Sequence, residues 1–372
     1  MQCDLTVSEL FQAYYDCRKT KRNTWNALEF EKNLEQNLMD LYYELISKKY
    51  QPGRSIMFVI TRPKPREVWA ANFRDRVVHH VLYNRYADKF YRRFIHDSYA
   101  CIPEKGTLRA AERVQHFIRS ATKNHTQPAW FLKADIANFF VSIDKQILDG
   151  LLAKQITDPW WLWLMRVILH KDPRDQVYVK SNSELLKKVP RHKSLLNAPN
   201  GFGLPIGNLS SQFFANVYLN ELDQFAKHKL KTKYYARYVD DIVIVGANGS
   251  WLNKIYNQMM NFAQKYLKIK FHPNKKEINC VENGINFVGY IIKPWCRYLR
   301  RSTINNLYSK AKARKHADEM RATVNSYFGL MRHANAYKER KRAAQMLGQY
   351  GCWFDGSLTK MTRLGVSKCI FA

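Results

Sequence analysis

The chain has 372 residues, 46% of them hydrophobic, which suffices for two or three packed subdomains and argues against global disorder. Lys and Arg number 61 against 31 Asp and Glu, a formal charge of +30. With 22 Tyr, 20 Phe and 9 Trp available for stacking, that charge points to nucleic acid as the polyanionic partner rather than to a merely solvated basic surface.

Residues 1–50 read as charged helix, with Leu28, Phe30, Leu34, Leu38, Leu41 and Leu45 at mostly helical spacing, ended by Pro52-Gly53. Ser55 to Thr61 reads as a strand closed by Arg62-Pro63-Lys64-Pro65-Arg66. A helix is expected from Arg74, with Val77, Val78, Val81, Leu82 and Tyr86 on one side, and another over 107–122. Residues 128–143 form a strand and turn, and 144–170 are helical. Lys171 to Asn200 is polar, basic and irregular, with Pro173 and Pro190, and reads as an insertion or long loop. The turn-rich stretch Gly201 to Gly207 precedes a helix. Asn208 is its expected N-cap, and Leu209, Phe213, Val217 and Leu222 its buried face. A further helix spans 251–267, and strands at Lys268–Phe271 and Ile285–Ile292 flank a loop. Between Lys293 and Gln345 there are 14 Lys or Arg and three acids, which reads as a basic helical domain.

Seven scattered Cys without a Cys-x-x-Cys pair suggest neither a zinc site nor a disulfide framework. Met1-Gln2-Cys3-Asp4 does not open a signal peptide. The most apolar run, Trp160 to Leu169, is broken by Arg166 and too short to span a bilayer. A cytoplasmic protein without membrane attachment is expected.

The chemistry concentrates in Tyr234-Tyr235-Ala236-Arg237-Tyr238-Val239-Asp240-Asp241-Ile242-Val243-Ile244-Val245-Gly246, which reads as a β-hairpin with two carboxylates at its tip. Adjacent like charges repel, so such a tip calls for a cation. Asp135 ends another strand-like run, Trp130-Phe131-Leu132-Lys133-Ala134, 105 positions earlier. A lone Asp at a strand end is ordinarily a turn or cap residue. Three carboxylates on neighbouring strand ends can instead hold two Mg²⁺ ions for in-line phosphoryl transfer.

Taken together these segments resemble the reverse transcriptases, the RNA-directed DNA polymerases of retroelements, over roughly residues 20–345. Tyr238-Val239-Asp240-Asp241 matches the family's Y-x-D-D box, and Asp135-Ile136-x-x-Phe139-Phe140 its first carboxylate motif. Phe287-Val288-Gly289-Tyr290 is similar to its primer-gripping hairpin. Lys64-Pro65-Arg66 and Arg74-Asp75-Arg76-Val77-Val78 are similar to its finger motifs. The resemblance implies an α+β right-hand fold. Residues 1–130 would be an N-terminal extension and fingers with part of the palm, 131–292 an antiparallel-sheet palm with an insertion at about 171–200, and 293–372 a basic helical thumb and tail. It implies Asp135, Asp240 and Asp241 as catalytic ligands of two Mg²⁺ (or Mn²⁺) ions, with the Ile136 carbonyl as an extra ligand. Phe140 would be the sugar gate that favours dNTPs. Arg74, Lys64 and Arg66 would hold phosphates, and Lys276 (or Lys275) would protonate pyrophosphate. Core packing for Phe140 and basic surface for the cations are the ordinary alternatives.

Leu204-Pro205-Ile206-Gly207-Asn208-Leu209-Ser210-Ser211-Gln212 narrows the resemblance. Most relatives carry Gln where Ile206 stands. With Gln212 following, the pattern resembles enzymes of diversity-generating retroelements, bacterial or phage-encoded, which misincorporate opposite template adenines. The implied partners are a template-repeat RNA, the RNA–DNA duplex and cDNA, dNTPs and a small basic accessory variability protein that can itself be oligomeric. The alternatives are a reverse transcriptase of group II intron, retron or phage-defence type, or a catalytically inactive RNA-binding relative. No maturase extension or endonuclease domain is read after residue 345, which speaks against the intron type.

Overall fold

The computed structural model describes residues 3–19, 21–62, 64–312, 317–349 and 351–364. Three helices open it: α1 (Val7–Arg18), α2 (Trp25–Glu31) and α3 (Leu34–Ile46). α1 begins at a capping box. Thr6 Oγ1 accepts from the Glu9 amide at 3.2 Å, and the Glu9 carboxylate accepts from the Thr6 amide at 2.9 Å. β1 (Ser55–Ile60) pairs antiparallel with β2 (Arg66–Ala70), and α4 (Phe73–Tyr91) and α5 (Thr107–Ala121) follow. Then come β3 (Trp130–Asp135), the short α6 (Phe139–Ser142), α7 (Lys145–Ala153) and α8 (Pro159–His170). The helical stretch 144–170 is interrupted because Asp158-Pro159 starts a new helix. Asp158 accepts from the amides of Trp160 and Trp161, and Pro159 occupies the first turn, where its missing N–H costs nothing.

The segment expected to be an irregular insertion is folded. β4 (Val177–Val179) pairs parallel to β1, and α9 (Ser183–Lys187) and two 3₁₀ turns follow. Ser181 Oγ accepts from the Val59 amide at 2.9 Å, and the buried Glu67 carboxylate accepts from the Leu195 amide at 2.9 Å. These partners lie more than a hundred residues apart in sequence, so local pattern gives no sign of them.

The remainder comprises α10 (Leu209–Gln224), β5 (Tyr234–Tyr238), β6 (Asp241–Gly246), α11 (Gly249–Leu267), β7 (Glu277–Cys280), β8 (Ile285–Phe287), β9 (Tyr290–Ile292) and β10 (Arg297–Leu299). α12 (Arg301–Lys312), α13 (Ala317–Met331), α14 (Tyr337–Gly348), β11 (Cys352–Phe354) and β12 (Met361–Leu364) complete it. Several expectations change here. Asn208 precedes α10, but its side chain does not cap the helix; Oδ1 accepts from the Ala71 amide at 3.0 Å instead. Lys268–Phe271 forms no strand; only Phe271 bridges Ile136. Ile285–Ile292 is two strands turning at Val288-Gly289. The basic C-terminal region is helical but also carries β10 and the β11–β12 hairpin. No described helix is long and apolar enough to cross a membrane.

The chain forms two compact units. One comprises Met1–His96, Asp135–Lys231 and Asn257–Asn274. It holds the sheet β2-β1-β4 and a helical layer in which α1 and α10 pack on α4. Phe213 of α10 meets Tyr83, Phe90 and Tyr91 of α4 edge-on, at 5.8, 5.2 and 6.3 Å. α10 is buried nearly all round, including Ser210, Ser211, Asn216 and Asp223, so it has no single apolar face. The other unit comprises Asp97–Ala134, Thr232–Tyr256 and Lys275–Ala372. Its four-stranded sheet runs β5-β6-β3-β7, with β5–β6 and β3–β7 antiparallel. α5 covers β5 and β6 with Ala110, Val114, Phe117 and Ile118, and Phe287, Leu307 and Phe328 extend that core.

Candidate active site

The hairpin carrying the two carboxylates turns in two residues. Tyr238 pairs with Asp241, so Val239 and Asp240 form the loop and Asp241 opens β6. Val239 has φ +55°, at the position where two-residue loops ordinarily carry Gly or Asn. A β-branched residue there is strained, and such strain persists only where the surroundings impose it. Arg237 does so. It is 0% exposed and donates from Nη1 to the Val239 carbonyl at 2.9 Å and from Nη2 to Ser98 Oγ at 3.0 Å. Its own backbone is held by Asp97 and Tyr99, each at 3.0 Å. Sequence reasoning gave Arg237 no role; the signal was a lone charge inside an apolar strand, two residues before the turn.

β3 lies beside β6 in the sheet, and Asp135 is its last residue. Lys133 stands two residues earlier on the same face, and its Nζ is 3.9 Å from Asp241 Oδ1. The start of β6 therefore faces the end of β3. Lys133 is a second residue that sequence reasoning passed over, although the period of two would have put it with Asp135. Beyond the strand, the His272 amide donates to the Asp135 carbonyl at 2.7 Å and the Ala137 amide to the Lys270 carbonyl at 2.8 Å. These bonds flank an Ile136–Phe271 bridge of the non-hydrogen-bonded kind, which turns the Ile136 carbonyl away from Phe271. Lys276 is exposed and held against α11: Nζ donates to Asn253 Oδ1 at 2.5 Å and lies 4.3 Å from the Tyr256 ring centroid.

Two of the residues expected around a nucleotide, Phe140 and Ile206, are linked through the segment 203–207. The Leu204 amide donates to the Phe140 carbonyl at 2.8 Å, and the Trp69 amide of β2 donates to the Ile206 carbonyl at 2.7 Å. Phe139 is buried, whereas Phe140 is half-buried. Ile206 is half-buried, and Gln212 is exposed in the first turn of α10. Gly207 has φ +128° and lies so close to β2 that a Cβ would fall 3.0 Å from the Trp69 carbonyl oxygen. Lys64 and Arg66 are exposed at the β1–β2 turn. Arg74 is already engaged: it pairs with Glu44, lies 3.8 Å from Asp75 and stacks 5.1 Å over the Tyr50 ring. Holding a phosphate would require it to exchange Glu44 for the ligand.

Behind Arg74 lies a buried polar cluster. Asp75 accepts from Tyr50 Oη at 2.8 Å and from the Gly53 amide at 2.9 Å, and burial raises its pKa despite both bonds. His79 contacts Ser210 Oγ at 3.3 Å, and burial holds its pKa down at about 3.

Among the described residues no three His, Cys, Asp or Glu side chains gather so as to hold a metal ion by themselves. The donors at these strand ends are all oxygens, which suits hard divalent cations. Mg²⁺ ordinarily binds through one or two carboxylates and completes its shell with water and substrate phosphates, so an open set fits it better than a closed cage would.

The reverse transcriptase (RNA-dependent DNA polymerase) family matches residues 61–292. Protein YkfC of Escherichia coli is 21% identical over 334 residues, covering 80% of this chain and 82% of that protein. A putative COX1/OXI3 intron 2 protein of Saccharomyces cerevisiae is 21% identical over 305 residues, covering 66% of this chain but only 33% of its own length. Apo telomerase from Candida tropicalis has a TM-score of 0.49 at 13% identity, over 70% of this chain and 59% of that one. Telomerase from Candida albicans with a telomeric RNA fragment scores 0.47 at 11% identity, over 84% and 59%. This chain thus spans about three fifths of those telomerase chains and a third of the yeast protein. Because the family match takes in more than half of its length, the chain belongs to the reverse transcriptases, the RNA-directed DNA polymerases, and has their α+β right-hand fold.

Proposed function

We propose that the chain copies a template-repeat RNA into adenine-mutagenised cDNA, as the polymerase of a diversity-generating retroelement. The observation that carries the catalytic part is the neighbouring of β6, which opens with Asp241, and β3, which ends in Asp135. Asp135, Asp240 and Asp241, with the Ile136 carbonyl, would hold two divalent ions, Mg²⁺ or Mn²⁺. When bound, these supply the charge that activates a primer 3′-hydroxyl and neutralises departing pyrophosphate. Arg237 keeps the loop in the conformation that presents Asp240. Phe140 closes the ribose side of the nucleotide site, leaving room for a dNTP. Lys64 and Arg66 are exposed and can reach triphosphate oxygens; Arg74 can do so only by leaving Glu44. Lys276 would protonate pyrophosphate. Residues 293–372 would be the thumb that grips the RNA–DNA duplex through phosphate contacts.

Ile206 supports the subtype. It is only half-buried, so the core does not demand an apolar side chain there. An apolar group beneath the incoming nucleotide removes a hydrogen bond that would fix its position, which weakens base discrimination. A cytoplasmic location and a small basic accessory protein belong to the same proposal.

Primer extension on a homopolymer RNA tests the chemistry: the wild type extends with Mg²⁺, and Asp240→Asn does not. No metal-dependent synthesis by the wild type would leave an inactive RNA-binding relative. Sequencing of cDNA tests the subtype. Wild-type errors should concentrate opposite template adenine, and Ile206→Gln should reduce them there more than elsewhere. The likeness to a yeast intron protein favours an intron-type enzyme as the second reading, and a wild-type error spectrum without adenine bias would support that one.

A further inference from the structure

β2 carries Glu67 and Trp69 two residues apart on one face, and both are buried, at 5% and 1% exposed. A single oxygen of Glu67, Oε2, accepts two hydrogen bonds: from Trp69 Nε1 at 3.0 Å and from the Leu195 amide at 2.9 Å. Taking a carboxylate out of water is costly. Pairing with β1 already forms the strand, so strand formation gives no reason for that cost. What the carboxylate joins does give one: a side chain of β2 on one side and the segment 171–200 on the other.

That segment is clasped at its neck. The Lys145 amide donates to the Gly201 carbonyl at 3.0 Å, and Lys145 Nζ to the Lys171 carbonyl at 3.3 Å. Arg174 donates to the Ala198 carbonyl at 2.6 Å and to Asn200 Oδ1 at 3.0 Å. Leu195 and Ala198 form one small core with Met57 and Trp69, and Val141, the neighbour of Phe140, packs against it. The two residues joined at Glu67 also hold the two ends of residues 203–207. At one end Gly203 has φ +84° and lies so near Leu195 that a Cβ would fall 2.5 Å from Leu195 Cδ1. At the other end the Trp69 amide holds the Ile206 carbonyl at 2.7 Å.

We propose that Glu67 is a positioning residue for the incoming nucleotide: it latches the folded segment 171–200 to β2, and the two together fix residues 203–207 from both ends. The proposal rests on the reading of Phe140 and Ile206 as lining the nucleotide site. Without the latch, the N–H groups of Trp69 and Leu195 lose their acceptor in the core, and each regains one only by moving. Leu195 then withdraws from Gly203, and Trp69 from its place behind Ile206. The nucleotide would meet a segment that is in its binding conformation only part of the time, which weakens binding without altering transfer once it is bound.

The test is single-nucleotide primer extension by the full chain carrying Glu67→Met, a side chain of similar length without the acceptor. Losing one or both bonds should raise the dNTP KM about five- to thirtyfold at unchanged kcat, and should accelerate exchange of the Trp69 and Leu204 amides by a similar factor. Glu67→Gln keeps an acceptor oxygen and should restore both. Leu195→Ala shrinks the contact on Gly203 but keeps the amide; it too should raise KM, and it decides the matter if Glu67→Met does not fold. A fall in kcat at unchanged KM is what a merely structural residue gives by lowering the folded fraction, and it overturns the proposal. So does a Glu67→Gln enzyme no better than Glu67→Met. Unchanged exchange of the two amides overturns the latch and leaves the nucleotide-site reading standing. Faster exchange with an unchanged dNTP KM overturns that reading, and the proposal with it.

Discussion

Gly207→Ala isolates the contact that ties Ile206 to β2. The new Cβ would lie 2.8 Å from Val68 Cγ1 and 3.0 Å from the Trp69 carbonyl oxygen. Val68 can rotate, but the Trp69 carbonyl belongs to a strand paired with β1 through Met57 and cannot retreat without breaking that ladder. The residue also has φ +128°, which costs a non-glycine side chain about 1–3 kcal/mol. The cheapest escape is for residues 205–207 to lift off β2, giving up the 2.7 Å bond from the Trp69 amide to the Ile206 carbonyl. That bond is worth about 0.5–1.5 kcal/mol. Together the terms come to ~2–4 kcal/mol, so exchange of the Trp69 amide should accelerate by roughly 30- to 700-fold. Native-state hydrogen exchange reads this directly. The dNTP KM in primer extension should rise in parallel, because Ile206 and Phe140 are joined through Leu204. Unchanged Trp69 protection with an unchanged dNTP KM would refute the reasoning.

Arg237→Met should destabilise the hairpin unit by about 3 kcal/mol, since it removes two hydrogen bonds from a charged donor and orphans the Val239 carbonyl; a thermal-unfolding comparison with wild type measures it. Phe140→Val should raise ribonucleotide incorporation at least about tenfold relative to deoxyribonucleotide, scored by alkali-sensitive products, while leaving the fold intact because Phe139 carries the core packing. His79 gives a pH dependence. Its folded pKa of about 3 lies below the ordinary value of 6.5, so between the two the unfolded chain binds a proton that the folded chain does not. The stability it protects is fully present above 6.5 and falls as pH drops toward 3, by up to ~1.4 kcal/mol per pH unit. Denaturant midpoints at pH 7 and 5 should differ less in His79→Gln than in wild type.

Much of the chemistry was legible in the chain because it is encoded locally. Apolar, β-branched and aromatic runs flank the carboxylate pair and mark a hairpin, and the first helices announce themselves through the leucine spacing near the N-terminus. What the tertiary structure alone decided depends on partners distant in sequence. β7 is the polar stretch Glu-Ile-Asn-Cys, unremarkable until β3 offers it an edge. β4 is a strand only because β1 lies alongside, and Asn208 serves Ala71 rather than its own helix. Arg74 resembles a phosphate ligand in sequence, yet Glu44 and Tyr50, brought from another helix and loop, engage its guanidinium. Propensity and periodicity act over a few residues, whereas hydrogen-bond and charge partners are assigned by the packing of segments a hundred residues apart.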